Sequence, residues 1–291
     1  MVARISQTIM ENLIIQNPDE LNRIKREISE DGAEKLHVLA DFDRTLTKAF
    51  VDGKSIPSLI SILRDENYLT PDYPQKAKDL YAKYHSIEIN TNISLEERKK
   101  AMKEWWATHF ELLIKSGLNK KDIESVVASG RIRFREGFAD FADFLKEKNI
   151  PLVIMSSSGL GGDPILMCLE KEGKLSDNIY IISNSFEWDK EGKAVAVKGP
   201  IIHSMNKDET MLQSFLVFEK IKERKNILLL GGNLGDVGMV EGFDYENLIK
   251  VGFLNEAVAE SLAEYKKNYD VVILNDSSFD FINKLLREMV K

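Results

Sequence analysis

Two aspartates two positions apart, Asp41 and Asp43, stand at the end of the apolar run His37-Val38-Leu39-Ala40 in the stretch ADFDRTLT. A short continuous apolar run reads as a buried strand. Side chains alternate along a strand but not past its end. With Asp41 as the last strand residue and Asp43 in the loop beyond, both carboxylates can face one crevice at the carboxyl edge of a sheet. That placement makes phosphorus chemistry possible: an ionised Asp41 can attack, a Mg²⁺ held by the pair can offset the repulsion between carboxylate and phosphate, and Asp43 can protonate the leaving oxygen. The competing reading is an Asp pair capping a turn, and a bare D-x-D favours it.

The surrounding elements must decide. Residues 5 to 31 place Ile9, Leu13, Ile14, Leu21, Ile24 and Ile28 at helical spacing, with Pro18 as the break between two expected helices. After the first motif, Asp52-Gly53-Lys54 and Pro57 form a turn signature that suits a small flap. From about residue 58 to 134 the pattern is helical. Within it Ser94-Leu95-Glu96-Glu97 is a capping box, followed by Met102, Trp105, Trp106, His109, Phe110 and Leu113 at three- and four-residue spacing. Core packing is the default for such a stripe, notably Trp105, Phe110 and Leu113, while Trp106 and His109 are candidates to look into a cleft.

A helix from Phe138 to Lys148 leads into the apolar run Ile150 to Met155 and then Ser156-Ser157-Ser158-Gly159, which suits a parallel strand feeding a phosphate-binding turn. An ordinary serine loop before a helix is the alternative. Ile179 to Lys198 reads as a hairpin around Asp189-Lys190-Glu191-Gly192. Lys207 lies in a loop, where a lone lysine is usually solvated. Three further strands are expected at Asn226 to Leu230, Ile249 to Leu254 and Val271 to Asn275.

The alternation outside the helical stretch predicts an α/β fold: a Rossmann-like, mostly parallel sheet with helices on both faces, plus an inserted helical cap and a β-hairpin. Residues 1–57 and 135–291 would form the core, with 1–35 supplying N-terminal helices, and 58–134 the cap. A helical insertion after the first catalytic strand can close over a substrate and exclude water.

Taken together, the motifs carry a resemblance. ADFDRTLT resembles the first motif of the haloacid dehalogenase-like phosphohydrolases, and its surroundings most resemble the cytosolic pyrimidine 5'-nucleotidase family among them. IPLVIMSSSGLGGD is similar to that family's second motif, IIHSMNKDE to its lysine motif, and YHSIE followed by EWW to its cap. The resemblance implies a Mg²⁺-dependent hydrolysis of nucleoside 5'-monophosphates, with pyrimidine nucleotides preferred, through an aspartyl-phosphate on Asp41 with Asp43 as acid and base. It implies phosphate binding by Ser156, Ser157 and Lys207, a cap acid at Glu88, a base-stacking Trp106, and His109 in the same pocket. Asp41, Asp43 and Asp236 would hold the metal. One position departs from the pattern: the fourth motif begins Gly-Asp in the family, and here the matching pair is Gly231-Gly232. That departure keeps a nucleotide binder without turnover, or a phosphatase for another small phosphomonoester, as competing readings.

Composition bounds the rest. The chain has 291 residues, 43% hydrophobic and 30% charged, with no apolar run near the length of a membrane span. Its start carries acids and amides within the apolar stretch, so no signal peptide is expected. The single cysteine, Cys168, rules out an internal disulfide and suits a reducing cytoplasm. A formal charge of −7 argues against a nucleic-acid polymer as partner and leaves room for a local cationic pocket. A monomer or weak homo-oligomer is expected.

Overall fold

The computed structural model describes residues 12–290 apart from Pro57, Asn67, Thr91, Glu209, Thr210, Met211 and Ser214. The strands are β1 (Leu13–Ile15), β2 (Leu36–Ala40), β3 (Phe50–Val51), β4 (Lys54–Ser55), β5 (Leu152–Met155), β6 (Ile179–Ile182), β7 (Ser185–Trp188), β8 (Ala194–Lys198), β9 (Asn226–Gly231), β10 (Asn247–Leu254) and β11 (Val271–Leu274). Seven of them form one sheet in the order β1-β11-β10-β9-β2-β5-β6, parallel throughout except for β1.

Strands β2, β5 and β9 are buried at every residue, which is why they read as unbroken apolar runs. Alternate residues feed two cores. Val38, Ala40, Leu228 and Leu230 meet α1 (Pro18–Asp31), α6 (Phe138–Glu147) and α9 (Asp280–Met289). Leu39, Val153 and Leu229 meet Ile221 and Met239 on the other face, where Tyr265 and Tyr269 of the stretch including α8 (Val258–Asn268) cover Val272 and Leu274. The chain leaves β2 for β5 and β6 on one side and returns through β9, β10 and β11 on the other. Strand order therefore reverses beside β2, and in open α/β sheets the crevice at such a switch point is where ligands bind.

Helices α2 (Leu59–Asp65), α3 (Tyr73–Glu88), α4 (Leu95–Lys115) and α5 (Lys120–Ala128) lie between the β3–β4 hairpin and α6, and α7 (Asp163–Lys171) follows β5. The capping box at Ser94 and Glu97 is made in both directions. Departing and returning chains pair beside the first motif: Lys48 N donates to Arg133 O at 2.8 Å and Arg135 N to Leu46 O at 3.0 Å.

Two expectations need correction. The segment before Pro18 is a strand where it is described, Leu13 pairing with Ile273; a three-residue apolar run has no readable period, and Pro18 begins α1 at a position whose N–H no helix needs. Ile9 lies outside the described residues. Ile179–Ile182, assigned to the hairpin, is instead an edge strand parallel to β5, and the hairpin proper is β7–β8. Its unbroken apolar run was the sign that it belonged to the sheet.

Candidate active site

Strand β2 ends at Ala40, one residue before Asp41, whose N–H still donates to Leu230 O at 3.0 Å. The chain then turns sharply through Arg44, at φ 58° and ψ 11°, a left-handed conformation that costs a non-glycine residue about 1–2 kcal/mol. Arg135 supplies the compensation. Its buried guanidinium donates to Thr45 O at 2.7 Å, Arg44 O at 2.6 Å, Ser277 O at 3.0 Å and Asn255 Oδ1 at 2.7 Å, and pairs with Asp276 at 2.9 Å. Asn255 Nδ2 adds a second bond to Arg44 O. The turn is thus held by its carbonyls from beneath while Asp41 and Asp43 face the cleft.

Lys207 is not a solvated loop residue. It is 6% exposed, and its Nζ donates to Asp41 Oδ1 at 2.9 Å and Asp236 Oδ1 at 2.8 Å. Burial disfavours its charge, but Asp236 and Asp41 outweigh that and raise its pKa. Asp236 Oδ2 accepts from Gly232 N at 3.0 Å and Asn233 N at 2.9 Å, so Oδ2 is filled while Oδ1 keeps a lone pair beyond its bond from Lys207. Three carboxylates against one ammonium leave the site short of positive charge. Burial, then the neighbouring Asp236, pushes Asp41 up to about 7 against the pull of Lys207, and burial pushes Asp43 up to about 6. Asp43 has no hydrogen-bond partner among the described side chains and backbone groups, whereas Thr45 Oγ1 reaches Asp41 Oδ2 at a weak 3.4 Å.

After β5, Ser156 Oγ accepts from Ser158 N and Ser158 Oγ from Leu160 N, each at 3.2 Å. These bonds shape the turn and leave the Ser157 hydroxyl on the cleft wall without a partner among the described residues. Gly161 is required here: at φ 75°, a Cβ would stand 2.6 Å from Asn184 O.

The opposite wall comes from the helical insertion. Glu88, the last residue of α3, is not a solvated helix end: its Oε1 accepts from Ser204 Oγ at 2.6 Å and its Oε2 lies 3.1 Å from His85 Nδ1. Trp106 lines the cleft and stacks on Trp105, with ring centroids 5.4 Å apart. Trp105, Phe110 and Leu113 are buried, as a packing stripe should be. His109 is buried too, but it lines a neighbouring cavity rather than the cleft, and burial pushes its pKa down to about 4. The cleft has a volume of about 680 Å³, ordinary for a small-molecule site, and brings together Asp41, Asp43, Glu88, Trp106, Ser156, Ser157, Lys207 and Asp236. His85, Arg98, Ser204 and Arg135 were not singled out from the sequence. Ser204 lay inside the lysine motif and His85 inside YHSIE, which were the available signals; Arg98 and Arg135 had none beyond charge. Among the described residues no group of three or more His, Cys, Asp and Glu is arranged to hold a metal, and no helix is long and apolar enough to cross a membrane.

Similarity to known proteins agrees with this geometry. The model of the pyrimidine 5'-nucleotidase (UMPH-1) family matches residues 44–290. The 7-methylguanosine phosphate-specific 5'-nucleotidase of Gallus gallus is 34% identical over 274 residues, covering 94% of each chain. The putative cytosolic 5'-nucleotidase 3 of Caenorhabditis elegans is 32% identical over 284 residues, 95% of this chain and 75% of that one. The crystal structure of cytosolic 5'-nucleotidase IIIB bound to cytidine superposes with a TM-score of 0.86 at 26% identity, covering 97% of this chain and 96% of the other. A phosphoserine phosphatase with a phospho-aspartyl intermediate analogue shares the fold alone, at TM-score 0.51 and 17% identity over 88% of this chain and 98% of the other. With its sheet-edge aspartates, buried lysine and helical insertion in place, the chain belongs to the pyrimidine 5'-nucleotidase family of haloacid dehalogenase-like phosphohydrolases and is a 5'-nucleotidase.

Proposed function

We propose that this enzyme hydrolyses nucleoside 5'-monophosphates in the cytoplasm, as a monomer or weak homo-oligomer, through an aspartyl-phosphate on Asp41. The observation that carries this is the buried contact of Lys207 with Asp41 and Asp236, with the unpartnered Asp43 carboxyl in the same cleft. Lys207 keeps Asp41 available in its charged form and offsets the phosphoryl charge, while Asp236 holds Lys207 in place. Asp41 attacks phosphorus as the bond to the 5' oxygen breaks, and Asp43 gives its proton to that oxygen. Its raised pKa brings it close enough to neutral pH to give up and take back that proton. Asp43 then takes a proton from the water that attacks the phosphoaspartate, releasing phosphate and restoring Asp41. Ser156 and Ser157, with the N–H groups of their turn, bind the nonbridging oxygens.

The donor set fits Mg²⁺. Two carboxylates in a site short of positive charge, with Asp43 free, match an ion that usually takes one or two carboxylates and completes its shell with water and substrate phosphate. Bound there, Mg²⁺ would neutralise charge on the transferring phosphoryl group. Asp41 and Asp43 would hold it, and Asp236 could join them through the remaining lone pair of Oδ1.

For the base, a cleft lined by both Trp106 and Glu88 suits a positively charged ring, since tryptophan offers the strongest aromatic face to a cation. The base of 7-methylguanosine, alkylated at N7 and bonded to ribose at N9, carries such a charge, and a pyrimidine does not. The preference proposed is therefore 7-methylguanosine 5'-monophosphate over its unmethylated analogue GMP, with CMP as a further substrate. Phosphate release from 7-methylguanosine 5'-monophosphate, GMP, CMP and UMP, with Mg²⁺ and with chelator, is the test. Equal kcat/KM for the methylated and plain guanine nucleotides would remove the cationic-base reading; hydrolysis unaffected by chelator would remove the metal.

A further inference from the structure

A second cavity of about 610 Å³ opens between α2, α3 and α4, beside the catalytic cleft and nearly its size. Its chemistry is reversed. Arg44, Arg64 and Lys78 line it and no carboxylate does, in a chain with 47 acidic and 40 basic residues. Arg44 pairs with Glu256 and Arg64 with Asp65 at 3.0 Å, both exposed pairs of small worth, and Lys78 has no partner among the described residues. Tyr81, Trp105 and Trp106 give aromatic surface, with Tyr81 about half exposed.

Cations without acids select an anion of more than one charge, and the aromatic wall selects a planar ring. We propose that this cavity is a second, noncatalytic site for a nucleoside polyphosphate. It holds no carboxylate to attack phosphorus or to protonate a leaving oxygen, so a bound nucleotide is not turned over there. Ser58, Ile60 and Trp106 line both cavities, so occupancy is felt at the wall that faces the substrate base. Such coupling is reciprocal: the ligand changes substrate affinity by the factor by which substrate changes its own.

Equilibrium dialysis of the full-length protein with ATP in chelator tests this, using wild type, Lys78→Glu, Arg64→Glu and Lys207→Ala, with melting curves to confirm folding. The expected result is one equivalent bound to wild type and to Lys207→Ala, at least tenfold weaker in Lys78→Glu and Arg64→Glu, and tighter than inorganic tripolyphosphate. With Mg²⁺ restored, ATP should shift KM for a nucleoside monophosphate at least twofold in wild type and not in Lys78→Glu. Loss of binding in Lys207→Ala with retention in Lys78→Glu would put ATP in the catalytic cleft and overturn the proposal. Absence of saturable binding at millimolar ATP, or tripolyphosphate binding as tightly as ATP, would overturn it equally. Monophosphate hydrolysis without ATP is scored separately, so failure here does not count against the nucleotidase reading.

Discussion

At the sheet edge, Asp41, Ser156 and Gly232 each stand one residue beyond a fully buried strand; backbone hydrogen bonds to Leu230 O and Ile182 O fix the first two, and the Asp236 carboxylate holds the third. Across the cleft, Glu88 and Trp106 sit on separate helices of the insertion and are placed by side-chain contacts with Ser204, His85 and Trp105. The first wall is rigid because its parent strands are hydrogen-bonded on both sides. The second depends on packing that one substitution can change. On the proposed mechanism, reaction chemistry thus resides at the ends of the strands, and choice of substrate in replaceable side chains of the insertion.

Four measurements press on that division. Asp41→Asn keeps the shape of the sheet-edge wall and removes its nucleophile, so kcat should fall by about 10⁴-fold or more with no covalent phosphate trapped. Turnover at the wild-type rate would end the mechanism. Trp106→Ala on the other wall should leave hydrolysis of a small generic phosphate ester nearly intact while lowering kcat/KM for nucleotides by an amount equivalent to about 1–3 kcal/mol of stacking. Equal losses on both substrates would place Trp106 in packing alone.

Gly232→Asp tests whether the sheet edge tolerates revision. A Cβ at residue 232 would stand 2.7 Å from Thr45 Oγ1, so Thr45 must turn away from Asp41. The variant should melt a few degrees lower in chelator, recover with Mg²⁺, and bind the ion about tenfold more tightly. A Mg²⁺ titration of melting temperature and rate decides it; unchanged metal dependence would show that residue 232 is not beside the ion.

The smallest effect concerns pH. Asp43 has a folded pKa of about 6, above its ordinary 3.8, so the fold favours its neutral form. That contribution is fully present below about pH 4 and is lost as pH rises through 6. In chelator, Asp43→Asn should therefore match wild type near pH 4 and exceed it by roughly 1–2 kcal/mol near pH 7.5. Melting curves that run parallel across this range would mean that Asp43 is not held against its charge.

The parts legible in the sequence were those that depend on neighbours in the chain. Unbroken apolar runs marked β2, β5 and β9, the capping box marked α4, and the turn residues after each strand followed. Lys207 was different: its loop reads as solvated, and only similarity to a family motif pointed to a buried cation, since Asp41 and Asp236 lie 166 and 29 residues away. Arg135 was illegible for the same reason. In RIRFREGF it looks like one more surface charge, and what buries it is a set of oxygens supplied by distant segments.

Those distances bear on how the enzyme comes into being. The bonds by which Arg135 holds the Asp41–Asp43 turn join partners 90, 91, 120 and 142 residues apart, the farthest at Ser277. Loops of that size close late, after local helices have formed. A nascent chain can therefore carry both aspartates, all of the insertion and most of the sheet while the guanidinium that braces its catalytic turn still lacks Ser277. During refolding, phosphate release should return after the far-ultraviolet helix signal, and the interval between them should lengthen when Arg135 is replaced by lysine.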